Sequence, residues 1–153
     1  MQRRKGMRAV AGLIAAILVA ALLMLPAGAL ASAFFKGPVG SGSGNAGVEF
    51  RAKISHDRPR KVLGFRWFNV PVPPQCADSF DRKLFSMKVN HHGKFHGSFP
   101  VPNTSHTAIV HGKFKHHAKK ASGTLELKGG FSGGCSNADT GPLPWTAKRA
   151  GTG

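Results

Sequence analysis

Two stretches carry most of the side chains able to bind or ligate: "NHHGKFHGSF" at 90–99 and "VHGKFKHHAKK" at 110–120. Together they hold six of the eight histidines. Neutral imidazole is a common ligand for zinc, copper and nickel. His91, His92, His96, His111 and His117 are therefore the candidate metal ligands, with His116 beside them. The spacing does not complete that chemistry. There is no H-x-x-x-H pattern on a helix, no cysteine alongside, and few carboxylates to orient the rings. The surrounding lysines would also repel a cation.

Those lysines suggest a different chemistry. Lys88, Lys94, Lys113, Lys115, Lys119 and Lys120 fall in the same half of the chain. A row of ammonium groups neutralises phosphates or carboxylates, with an affinity that falls as salt rises. These six are the candidate polyanion-binding residues. Trp67, Phe68 and Trp145 are the aromatic candidates for stacking on bases or sugars, in no recognised single-strand-binding arrangement. The expected partner is an acidic polysaccharide, a wall polymer or another polyanion. No cofactor is expected.

Enzymatic patterns fail in turn. "ADTG" at 138–141 contains the Asp-Thr-Gly of aspartic proteases, but has no second copy and follows no apolar strand. A turn capped by Asp139 and closed by Gly141 is the expectation. The serines of "GSGSG" sit at the wrong offsets for a nucleophile elbow. The six carboxylates of the chain are scattered and assemble no glycosidase pair. The protein reads as a non-enzyme.

The elements that must position these residues follow period 2. Val48, Phe50, Ala52 and Ile54 alternate with Glu49, Arg51, Lys53 and Ser55, the signal of a half-buried strand. The same alternation runs through Leu63–Phe65–Trp67, Phe85–Met87–Val89, Phe95–Phe99, Ala108–Phe114 and Leu125–Leu127, with a last short strand at Trp145–Ala147. It places His111, Lys113, Lys115 and His117 on one face and His116 on the Val110/Phe114 face. The stretches 108–116 and 121–128 form a hairpin. No helical spacing of apolar residues appears after the N-terminal region. The fold class is all-β, an antiparallel β-sandwich or small barrel of about seven strands.

Residues 1–31 have a different plan: a basic start with Arg3, Arg4, Lys5 and Arg8, an uncharged apolar stretch from Ala9 to Leu25, then Pro26 and "ALA" ending at Ala31. This is the layout of a signal peptide cleaved after Ala31, with Ala31-Ser32-Ala33 as a second site. The alternative is a retained membrane anchor, the chain's one expected link to a membrane. Residues 32–47, with "GSGSG" inside, are the expected flexible linker, and 48–150 the secreted β domain. Localisation is therefore secreted, or at the cell envelope.

Beyond residue 31 there remain 18 Lys and Arg against 6 Asp and Glu, so the basicity belongs to the exported part. Cys76 and Cys135 are the two cysteines, both in that part. Outside the cytoplasm such a pair is expected as a disulfide, closing a loop of about 60 residues and stabilising the fold by roughly 4 kcal/mol.

The C-terminal stretch carries Gly112-Lys113-Phe114, Ala121-Ser122-Gly123-Thr124-Leu125, Cys135, Thr140-Gly141 and Trp145-Thr146-Ala147-Lys148-Arg149. This resembles a pattern in small secreted bacterial all-β proteins of unknown function. The resemblance covers about a third of the chain and implies an exported β domain with a disulfide; it implies no site.

Overall fold

A computed structural model describes residues 31–40, 45–72, 76–80, 85–101, 105–130 and 139–152. They form nine strands: β1 (Ala31–Pro38), β2 (Gly47–Ser55), β3 (Arg58–Val72), β4 (Cys76–Phe80), β5 (Ser86–Lys88), β6 (Lys94–Pro100), β7 (Ser105–Lys115), β8 (Lys120–Gly130) and β9 (Leu143–Thr152). All pairings are antiparallel, in the order β4-β3-β2-β1-β9-β8-β7-β6, with β5 also on β3. The chain therefore meanders round a nearly closed barrel, with β4 and β5 serving as one interrupted strand along the same edge of β3. Of the two all-β expectations the barrel is the one formed. Among the described residues no helix is long and apolar enough to cross a membrane.

The seam lies between β5 and β6. The turn between them is held by Asn90, whose N–H donates to the Lys94 carbonyl at 2.9 Å and whose side-chain oxygen accepts from the N–H of His92 and of Lys94. Phe85 and Phe99 stack across the seam with ring centroids 4.3 Å apart.

Alternation fills the interior. A small barrel is a packed core, not a pore. Phe35, Phe50, Phe65, Phe95, Phe114 and Trp145, from six different strands, meet at its centre. Gly112 leaves room for that cluster, since a Cβ there would overlap the Phe95 ring.

Three expectations are corrected. The linker assigned to 32–47 is a strand in its first half: β1 sits between β2 and β9, with Ala33 and Phe35 fully buried. The apolar pair Phe34–Phe35, followed by glycines, hid its period. In β3, Leu63 does not share the inner face with Phe65. A bulge at Gly64 (φ 58°) inserts a residue, so Val62, Phe65 and Trp67 point inward and Leu63 lies outside. His116 does not continue the inner row of β7, because the strand ends at Lys115 and His116 opens the turn.

Of the expected export segment, 1–31, residues 1–30 lie outside the described residues, as does Cys135; the backbone of Cys76 begins β4. Cleavage after Ala31 would leave the buried residues of β1 in place, whereas cleavage after Ala33 would remove the first of them.

Candidate polyanion-binding surface

In a meander barrel, alternate strand ends gather at the same rim. The turns 55–58, 90–94 and 115–120, the start of β1 and the end of β9 all lie at one end. Four segments meet there: 51–61, 88–94, 113–120 and 148–149. They hold 13 of the 18 Lys and Arg that follow residue 31, and one carboxylate, Asp57. They also hold five histidines: His56, His91, His92, His116 and His117. Over the rest of the barrel the described charged side chains balance, with Lys36, Arg66 and Lys128 against Glu49, Glu126 and Asp139. The net charge of the described barrel is thus the charge of one end.

All six candidate lysines belong to this end. Lys94 stands directly opposite Lys113, Lys115 opposite Lys120, and Lys120 opposite Lys148. On the far side of the seam Lys53, Lys61 and Lys88 form a second row across three strands. Lys119 sits in the 116–119 turn and is exposed. Like charges directly opposite each other destabilise a sheet. The chain can avoid this: at mid-barrel Glu49 lies between Lys36 and Arg66 in register. It accepts from Arg66 and pairs with the Lys36 ammonium at 3.0 Å. Burial alone would push the Glu49 carboxyl up, but its hydrogen bonds and charge attraction to Lys36 and Arg66 outweigh this and hold it below the usual range. Among the described residues no such acid is placed between the opposed lysines.

The turns add backbone strain. His56 and Asp57 have φ of 49° and 58°, and His116, His117 and Ala118 have φ of 52°, 53° and 57°. The left-handed region costs an L-residue roughly 1–2 kcal/mol, which glycine largely escapes. His117→Gly should therefore raise stability by about 1 kcal/mol, measured as a higher urea midpoint. An unchanged or lower midpoint would mean that the His117 side chain offsets its own strain.

The metal candidates come together only in pairs. The His91 and His92 rings lie 3.8 Å apart by centroid in the 90–93 turn, and His96 faces His111 across β6 and β7 at 6.1 Å. His117 sits in a separate turn. No group of three or more potential ligands capable of holding a metal ion forms among the described residues. The stacking candidates are also displaced: Trp67 and Trp145 are core residues, and Phe68 lies on the outer wall under the Lys36 ammonium at 5.8 Å. "ADTG" forms the Asp-capped turn, with the Gly141 N–H donating to Asp139 Oδ1 at 2.9 Å.

What sequence reasoning missed is the contribution of Arg51, Lys53, Arg58, Arg60, Lys61, Lys148 and Arg149 to the same end. Only the register joins them to the candidate six. The chain matches no known family model, no curated protein and no solved structure.

Proposed function

We propose that this protein is a secreted, non-enzymatic barrel that binds an anionic polymer or surface through its basic end. One observation carries the proposal: 13 basic residues against one acid at one end, with lysines set opposite lysines. A chain needing charge only for solubility gains nothing from concentrating it where it repels itself. The strained histidine turns at the same end support it, since strain of this kind clusters at functional positions. Export by the N-terminal segment and the resemblance to secreted bacterial β proteins belong with this reading.

Retention on immobilised heparin or wall polymer tests it. Binding is expected at roughly 50 mM salt and should be lost steeply by roughly 200 mM. Absence of retention at the lower salt would sink the reading. Lys120→Glu sharpens the test, because its two expected effects have opposite signs. The introduced carboxylate would face Lys115 and Lys148, so stability should rise by about 0.2–1 kcal/mol while retention weakens. If stability fell along with retention, the lysine would be a structural group.

A further inference from the structure

At the margin of the basic end, the outer wall of β6, β7 and β8 is hollowed into a groove of about 370 Å³. Lys94 faces Lys113 at one end of it, and one pleat further along His96 faces His111. Ser122 stands opposite Lys113, and Thr124 opposite His111. Between these rows Gly112 and Gly123 sit opposite each other and present no side chain. Among the described residues no carboxylate lines the groove. The nearest in register is Glu126, two residues beyond Thr124, and Lys128 holds it in an ion pair at 3.0 Å. Around the groove, β9 brings Thr146 and Pro144, β5 brings Lys88, and the 90–93 turn brings Asn90, His91 and His92.

We propose that this groove binds a phosphodiester group of a non-aromatic polymer. Lys94 and Lys113 supply charge, Ser122 and Thr124 supply hydroxyl donors, and the His96 and His111 rings supply N–H donors. The inference rests on the polyanion reading and deepens it. A phosphodiester has two free oxygens and one delocalised charge, which suits two ammonium groups flanked by hydroxyls. Binding of nucleic-acid strands draws on exposed rings that stack on the bases. Of the lining rings only the small imidazoles of His96 and His111 are exposed; Phe95, the one phenyl ring, is 2% exposed, and both tryptophans are in the core. A polyol- or sugar-phosphate chain therefore fits better than a nucleic acid.

Binding of the full chain to poly(glycerol phosphate) is measured at about 50 mM salt and pH 7.5. Ser122→Ala/Thr124→Val leaves the net charge unchanged and should weaken binding by about tenfold, the loss of two hydroxyl donors. Lys94→Gln/Lys113→Gln should weaken it more than Lys53→Gln/Lys61→Gln, which removes two cations from the same end outside the groove. If the hydroxyl variant retained the full affinity, this inference would fall and the polyanion reading would stand. If the wild type bound neither poly(glycerol phosphate) nor heparin, both would fall. Tighter binding of oligothymidylate than of poly(glycerol phosphate) would overturn the non-aromatic assignment. Should the hydroxyl variant fail to fold, ring-proton NMR of the wild type decides: the His96 and His111 resonances must move when the probe is added, and static resonances overturn the site.

Discussion

Phe50→Ala should lower folding stability by about 3–5 kcal/mol, measured by urea denaturation. Phe50 is the hub of the barrel interior. Its ring stacks on Phe35 at 5.0 Å and on Phe65 at 5.5 Å, and meets Phe95, Phe114 and Trp145 at about 6 Å. Those rings belong to β1, β6, β7, β9 and Phe50's own neighbour β3. Truncation thus empties the point where six strands share contacts, and a sheet closed on itself has little freedom to collapse into the space. For a domain whose net stability is typically about 5–15 kcal/mol, the loss should leave a marginal fold. Phe68→Ala, on the outer wall, is the comparison and should cost far less. A Phe50→Ala loss below about 1 kcal/mol would show that the interior relaxes as a loose core does.

Reversing four charges at the basic end, Lys113→Glu, Lys115→Glu, Lys120→Glu and Lys148→Glu together, should have the largest effect on binding. A protein that neutralises six or more anionic groups loses about 10³ or more in affinity between 50 and 200 mM salt. The four substitutions remove a row spanning β7, β8 and β9 and replace it with repulsion. Affinity for a polyanion at low salt should drop by at least about 10³, and the salt slope should flatten by roughly four contacts. Lys128→Glu removes a charge already paired with Glu126 and should leave the slope nearly unchanged. A loss from Lys128→Glu as large as a quarter of the fourfold variant's, on a logarithmic scale, would mean that net charge matters and its placement does not.

Much of the barrel is legible in period 2, because its inner and outer faces differ so sharply in polarity. Val48 through Ile54 and Ala108 through Phe114 show their faces directly. What escapes the pattern has physical causes. β1 lies in a stretch that begins at the end of the apolar N-terminal run and continues into glycines, and Ser32 is the one polar residue on its outer face before Lys36. Gly64 and Asn69 bulge β3 and shift its period midway. The lysine candidates are visible as a run, but their arrangement is not. Lys53, Lys61 and Lys148 are distant in sequence, and only strand pairing brings them to the same rim. The histidines mislead for the complementary reason: close spacing in sequence becomes separation when one pair sits in a turn and another on a wall.

The pairing of β1 with β9 has a consequence for how the barrel forms. Ala33 lies beside Thr152, so the first and last strands supply each other's ladder. Every other ladder among the described residues joins strands close in the chain, most of them successive strands of a hairpin. This one waits until the whole domain has been made. The entropy of closing so long a loop grows only slowly with its length, but the search for such distant contacts slows folding. Until that moment β1 and β9 each present a bare edge, and the two must be free to find each other. A chain that crosses a membrane led by residues 1–31 would therefore complete its barrel only after its final strand has followed.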